Sequence, residues 1–242
     1  MSSIASALSV ANVSAVAFDG YGTIFDFTEP DFIAAMAEVC AQQRLEADAA
    51  DVWRRFVRAS YAFRSENHHE PLYRRYDEAW AIQFERVFKQ LRLQGDAWAA
   101  AGHLRSRLAS APAYDEVYPV MEALRPRYRL ALLSNADDDF LTEALEQNDL
   151  HFDTIVTSEQ ARAIKPNREI FDYLSQKMGL PPERIMYAGD NPVPDVLGPV
   201  RAGMVAAWVN RTSARRPRKV PAPHVRVRSL TGLLAVLAPH GG

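Results

Sequence analysis

The run Val16–Phe27, VAFDGYGTIFDF, carries an apolar triplet straight into Asp19 and then bends through Gly20, Tyr21, Gly22 and Thr23. Further along, Ser134 and Asn135 close the run YRLALLSN, Lys165 sits in AIKPN, and Asp190 and Asp195 follow the run RIMYAG in GDNPVPD. Carboxylates, a hydroxyl, an amide and an ammonium are side chains that bind ions, move protons and attack electrophiles. Each also has an ordinary alternative. An aspartate ending a strand is a cap or turn residue, Ser-Asn after an apolar run is a turn, and Lys-Pro before a helix is a surface loop. The set carries chemistry only if the fold brings its members to one place.

The elements that would do so are legible. Short apolar runs at 14–19, 128–135, 153–158, 184–190, 204–210 and 224–229 read as strands. Between them lie helical patterns: DDDFLTEALEQNDL, NREIFDYLSQKMGL with Gly179 as its stop, VPDVLGPVRAG and the terminal SLTGLLAVLA. Strand and helix alternate, which predicts an α/β fold with a doubly wound, Rossmann-like parallel sheet. Residues 29–110 break the rhythm with apolar and aromatic residues at three- and four-residue spacing and no strand-like run. They are expected to form an inserted α-helical cap domain, leaving 1–28 and 111–242 as the core domain. Trp53, Phe56, Tyr61, Phe63, Tyr73, Tyr76, Trp80, Phe84 and Phe88 are read as its core. In such a sheet, ligands bind outside the carboxyl ends of the strands. Asp19, Ser134, Asn135, Lys165 and Asp190 all fall there.

Composition narrows the function. The 242 residues carry 28 Lys and Arg against 30 Asp and Glu, a formal charge of -2, so nothing points to a nucleic-acid partner. Cys40 is the single cysteine, which excludes an intramolecular disulfide and a cysteine zinc cluster. No stretch approaches the roughly 20 apolar residues of a membrane span, and the first residues show no basic region ahead of an apolar one. A soluble cytoplasmic protein without a membrane partner is expected, as a monomer or homodimer. The basic, proline-rich stretch RTSARRPRKVPAP (211–223) reads as a solvated connector, and ENHHEP (66–71) as an exposed turn.

In order along the chain, FDGYGTIFD, LLSNAD, IKPNREIF and GDNPVPD resemble the four motifs of the haloacid dehalogenase superfamily. The resemblance spans roughly residues 14–205, with the helical insert where that superfamily places its C1 cap. It implies that Asp19 is a nucleophile forming a covalent aspartyl intermediate and that Thr23 orders its loop. Gly20, Ser134, Asn135 and Lys165 would hold the group under attack. Mg2+ would be bound by Asp19, Asp190, Asp195 and the backbone carbonyl of Tyr21. The implied substrate is a small, anionic molecule, selected by cap residues such as Arg58, Arg64, His68, His69, Tyr73 and Arg74.

Two branches of that superfamily divide at Tyr21. Its phosphatases usually carry a second aspartate there to protonate the leaving alcohol, whereas DxYGT resembles the 2-haloacid dehalogenases, whose halide needs no proton. The fourth motif points the other way. Dehalogenases of that branch place Ser and Asn ahead of a single Asp, while this chain has Asp190 and Asp195 at phosphatase-like spacing and Pro192 where the Asn would be. Phe171 replaces the tyrosine expected after the lysine, and none of Arg44, Arg54 and Arg55 aligns with the arginine that grips a haloacid. Two ionised carboxylates about 4 Å apart repel by roughly 4 kcal/mol at an effective dielectric of 20. Asp19 beside Asp190 therefore needs a cation or a raised pKa, and Mg2+ is the economical answer. The expected function is a Mg2+-dependent phosphatase of a small phosphorylated metabolite. A metal-independent 2-haloacid dehalogenase is the alternative, and a non-catalytic binding protein of the same fold a third.

Overall fold

The computed structural model describes residues 10–66 and 73–238, so His68, His69 and most of ENHHEP lie outside the described residues, as does the side chain of Arg64. In chain order the elements are β1 (Ala15–Phe18), α1 (Glu29–Gln43), α2 (Ala49–Glu66), α3 (Tyr76–Leu91), α4 (Ala97–Ala109), α5 (Val117–Leu124), β2 (Arg129–Ser134), α6 (Asp138–Gln147), β3 (Thr154–Thr157), α7 (Ser158–Ala161), α8 (Arg168–Met178), β4 (Ile185–Gly189), α9 (Gly198–Ala202), β5 (Val205–Val209), β6 (Val225–Val227) and α10 (Thr231–Leu237). They form two compact units. One takes the chain up to Asp26 with Ala113–Asn135 and from His151 onward; the other takes Phe27–Pro112 and Ala136–Leu150.

The first unit is built on a six-stranded sheet of order β3-β2-β1-β4-β5-β6, parallel at every pairing. All six predicted strands are present, and the doubly wound α/β fold is the one expected. Strand β1, AVAF, is fully buried because it is central and covered on both faces, which is why its sequence runs continuously apolar instead of alternating. Phe18 at its end is level with Leu132 of β2 and Ala188 of β4. From β1 the strand order runs outward both ways, which puts the topological switch point between β1 and β4, the place where doubly wound sheets bind ligands at the carboxyl ends of their strands.

Helix α8 shows how the sequence commits a segment. Ile170, Phe171, Leu174 and Met178 fall on one face and bury against Ala17, Leu133 and Tyr187 of the sheet. Gly179, at φ 63°, then ends the helix, and Leu180 N–H closes back on Ser175 O at 3.2 Å. The pattern VPDVLGPVRAG behaves differently from a plain helix. Val193–Leu197 forms a single wide π turn, and only Gly198–Ala202 is α-helical. Gly198 N–H reaches back to Val193 O, one residue further than an α bond, and Pro199 has no amide hydrogen to restore the α partner at Asp195.

The second unit consists of α1, α2, α3, α4 and α6. Thr28 starts α1 with its backbone N–H donating to Asp31 Oδ2 at 2.8 Å, and Asp96 caps α4 by accepting from Ala99 N–H at 2.9 Å. Of the aromatics expected in its core, Phe56, Trp80, Phe84 and Phe88 are buried and Trp53, Tyr73 and Tyr76 are partly exposed, while the side chains of Tyr61 and Phe63 lie outside the described residues. Phe32 stacks on Trp53 at 4.5 Å between centroids, and Phe56 meets Phe84 at 4.8 Å. Trp80 lies 5.7 Å from Phe140 of α6, the helix that follows β2 in sequence. Phe84 is fully buried. Phe84→Ala is therefore expected to lower stability by about 3–5 kcal/mol, measured as the shift of the urea unfolding midpoint; a change under about 1 kcal/mol would show that this ring is not central to the helical core.

Candidate active site

The nucleophile loop is shaped by what surrounds it. Asp19 N–H donates to Ala188 O at 2.8 Å, one last ladder bond beyond β1. The chain then folds around a single carbonyl, Gly20 O, which accepts from the amides of Thr23, Ile24 and Phe25 at 3.3, 2.7 and 2.9 Å. A Cβ on Gly20 would stand 2.8 Å from Ser134 Oγ. One on Gly22, whose φ is +88°, would stand 2.8 Å from Asp190 Oδ2. Close approach by site side chains is thus one reason for both glycines, beyond access of their amides to an oxyanion.

Lys165 is the hub. Only 2% exposed, its Nζ donates to Asp19 Oδ1 at 2.6 Å, Tyr187 Oη at 2.7 Å and Asp195 Oδ1 at 2.8 Å. All three ammonium hydrogens are thereby engaged. The backbone at Lys165 is held as well: its N–H donates to Asn135 Oδ1 at 2.8 Å, and Asn135 Nδ2 donates to Lys165 O at 3.3 Å. Asn135 is in place at the end of β2, with its side-chain amide engaged in fixing the lysine loop. Asp195, on the wide turn, accepts from Lys165 with one carboxylate oxygen and from Asn191 N–H at 2.9 Å with the other. Thr23, fully buried, directs its hydroxyl at Asp19 Oδ2 (3.3 Å) and Asp190 Oδ1 (3.4 Å). The backbone of Asp190 is secured by Trp208, whose indole N–H donates to Asp190 O at 2.8 Å.

Tyr187 is the member that sequence reasoning missed. It lies mid-strand in an apolar run, where a tyrosine reads as core, and it is indeed fully buried and packed at 5.5 Å against Phe171. Its hydroxyl accepts from Lys165 and donates to Leu133 O at 3.0 Å. A buried phenol needs such a partner, and that was the available signal. Tyr73 donates its hydroxyl to buried Asp137 at 2.6 Å, Arg54 and Arg55 both pair with Asp51, and Arg44, Arg58 and Arg74 are exposed.

The electrostatics follow from a count of charges. Asp19, Asp190 and Asp195 each place a carboxylate oxygen within 4.8 Å of the others, and the one ammonium among them pairs with Asp19 and Asp195. Burial alone would lower the pKa of Lys165, but Asp19 and Asp195 outweigh it and hold the group well above the usual lysine value. Asp195, buried and sharing its cation with Asp19, is pushed up to about 6. Asp190 has no ion pair among the described residues, and burial with the fields of Asp19 and Asp195 raises it to about 8. The site holds more negative charge than its own side chains neutralise. A hard divalent cation on Asp19, Asp190 and a backbone carbonyl fits that deficit in charge and donor type.

Residues 13–203 match the family described as haloacid dehalogenase-like hydrolase. The chain belongs to this family. Among curated proteins it is 32% identical over 124 residues to the pyrimidine 5'-nucleotidase YjjG of Escherichia coli (strain K12), covering 50% of this chain and 55% of that protein. It is 27% identical over 204 residues to the haloacetate dehalogenase H-2 of Moraxella sp. (strain B), covering 82% and 86%. The chain thus spans about half of the nucleotidase and most of the dehalogenase. Among solved structures, the L-2-haloacid dehalogenase RSc1362 superposes with a TM-score of 0.79 at 21% identity, over 93% of this chain and 98% of that one, which establishes the fold. Among the described residues, no helix is long and apolar enough to cross a membrane.

The charge count has a measurable consequence. A carboxyl whose folded-state pKa lies above its unfolded value costs stability as it ionises, so the Asp190 penalty grows from about pH 4 and is complete above about pH 8. In chelator, Asp190→Asn is expected to raise Tm, by more at about pH 8.5 than at about pH 5.5, and to show a smaller Tm response to added Mg2+ than the wild type. A lower Tm for the variant at the higher pH would mean that the carboxylate is favourably paired.

Proposed function

We propose that this hydrolase is a Mg2+-dependent phosphatase acting on a small, anionic phosphorylated molecule through Asp19. The observation that carries the reading is the cluster of Asp19, Asp190 and Asp195, whose carboxylate oxygens lie within 4.8 Å of one another beside a single ammonium; burial, with the fields of Asp19 and Asp195, raises the pKa of Asp190 to about 8. Asp19, Asp190 and the backbone carbonyl of Tyr21 would hold Mg2+, and the ion would supply the positive charge that lets an anionic phosphoryl group approach a carboxylate.

The chain's own residues have the following roles in this reading. Lys165, donating to Asp19 Oδ1, aligns the carboxylate and offsets charge at the reacting group. An Asp19 oxygen forms a bond to phosphorus as the bond to the leaving oxygen breaks, giving an aspartyl phosphate. Water then attacks that phosphorus, releasing inorganic phosphate and restoring the carboxylate. Ser134, 1% exposed at the end of β2, stands beside Gly20 to contact the phosphoryl oxygens. Asn135, Asp195 and Tyr187 position Lys165, and Thr23 orders the loop.

Tyr21 limits the substrate. Without an acid at this position the leaving oxygen must take its proton from water or leave as a stable anion, so aryl and acyl phosphates are favoured over alkyl ones. Tyr21 is also what supports the second reading, a 2-haloacid dehalogenase, because a halide leaves without a proton; the similarity to the Moraxella haloacetate dehalogenase is in keeping with it. A panel of aryl, acyl and alkyl phosphates and 2-haloacids, assayed for phosphate and halide release with Mg2+ and with chelator, separates the two. Expected are phosphate release that requires Mg2+, rates that fall steeply as leaving-group pKa rises, and no turnover by Asp19→Asn. Tyr21→Asp should gain on alkyl phosphates up to the 10² to 10⁴ typical of general acid catalysis. Halide release undiminished by chelator, with no phosphate release, would establish the dehalogenase reading instead.

A further inference from the structure

Most of the 211–223 stretch fits a solvated connector, with Thr212–Arg215 and Pro217–Lys219 exposed, but its first residue does not. The side chain of Arg211 is only 21% exposed and makes four contacts. Its Nε donates to Gly22 O at 3.3 Å and its Nη2 to Thr23 O at 3.1 Å. Nη1 pairs with Glu116 Oε1 at 2.6 Å, and the guanidinium carbon lies 3.8 Å from the Tyr114 ring centroid. Both ends of this arrangement are anchored. Asn210, 4% exposed, brackets the turn after β5 by bonding Ala214 through N–H and carbonyl at 2.8 and 2.9 Å. Glu116 also accepts from the amides of Leu230 and Thr231 at 3.0 and 3.3 Å. Tyr114 N–H donates to Ile24 O at 3.0 Å, tying the ring under the guanidinium to the loop that the guanidinium holds.

We propose that Arg211 is a positioning residue for the nucleophile loop: its planar fork holds the Gly22 and Thr23 carbonyls while Glu116 and Tyr114 fix the fork. The two carbonyls flank Thr23, so fixing their peptide planes fixes where the Thr23 hydroxyl stands between Asp19 and Asp190. A guanidinium suits this task because it presents donors in one rigid plane to three acceptors at once. An ammonium at the same place would keep the ion pair with Glu116 but not the planar fork. The proposal rests on Asp19 as the reacting carboxylate and is independent of the leaving group.

The test compares wild type with Arg211→Lys, Arg211→Ala and Glu116→Gln. Kinetics use p-nitrophenyl phosphate with Mg2+ and 2-chloropropionate in chelator as probes, alongside Tm and hydrogen exchange by mass spectrometry. Both Arg211 variants are expected to lose about 10- to 100-fold in kcat, the range seen when groups that orient a reactive centre are removed, with little change in KM. Peptides covering residues 19–26 should exchange faster while those of the helical unit stay as in wild type. Guanidinium ion at low, non-denaturing concentration should restore part of the kcat of Arg211→Ala. Glu116→Gln should reproduce the effect in weaker form. Wild-type exchange and kcat in Arg211→Lys would overturn the proposal, since the ion pair alone would then suffice. So would losses that scale with a fall in Tm and a rise in exchange across the whole chain. If wild type turns over neither probe, the functional reading fails, and the exchange of residues 19–26 still decides the role of Arg211.

Discussion

The site depends on one ammonium in a place without water. Lys165 is buried at the carboxyl edge of the sheet, where desolvation alone would strip its charge, and two carboxylates within 2.8 Å keep it charged. Those partners come from separate parts of the chain, Asp19 from the end of β1 and Asp195 from the wide turn after β4, and Tyr187 adds a hydroxyl from within β4. The ammonium therefore acts as a cross-link between the central strands. The same contact leaves the site short of positive charge, because a third carboxylate, Asp190, shares the space without sharing the cation. Its raised pKa and the proposed metal are two expressions of that single deficit.

Around this hub the polar side chains divide by whether their atoms are already engaged. Asn135 bonds the Lys165 backbone in both directions, and Asp195 has one oxygen on the lysine and one on Asn191 N–H. Neither needs to touch a substrate to matter, since each determines where Nζ points. Ser134 stands so close to Gly20, and Asp190 to Gly22, that any side chain at these glycines would displace them. The loop is consequently held from inside by its own Gly20 carbonyl and from outside by Arg211. Such two-sided restraint suits a nucleophile, because reactivity falls quickly when an attacking oxygen strays from its line.

The division between phosphate and halide chemistry has the same physical basis. A phosphoryl group brings negative charge to a carboxylate and departs with an oxygen that must be protonated or stabilised, whereas a haloacid does neither at the carbon under attack. The second carboxylate of the fourth motif bears on the first problem and the identity of residue 21 on the second. In this chain the two residues point in different directions. The relatives divide in the same way, one a nucleotidase and one a dehalogenase.

Much of this was legible in the chain alone. The six strands announce themselves as short runs rich in apolar residues, and a parallel sheet sends their carboxyl ends to one edge, so Asp19, Ser134, Lys165 and Asp190 could be placed together from local pattern and topology. The aromatic spacing of the insert identified its core for a similar reason, since helical periodicity repeats within a few residues. What the tertiary structure alone decided are the pairings. Tyr187 and Arg211 look like a core residue and a loop charge because nothing within their own segments records the partners they meet, a donor more than 20 residues away at Lys165 and acceptors more than 180 away at Gly22 and Thr23. Asp190 and Asp195 are alike in sequence, five residues apart, yet Asp195 is engaged on an ammonium and an amide and is raised only to about 6, while Asp190, without an ion pair among the described residues, is raised to about 8. Hydrogen bonds and charge fields act over a few ångströms of space regardless of chain separation, so which carboxylate is neutralised is decided by folding and not by composition.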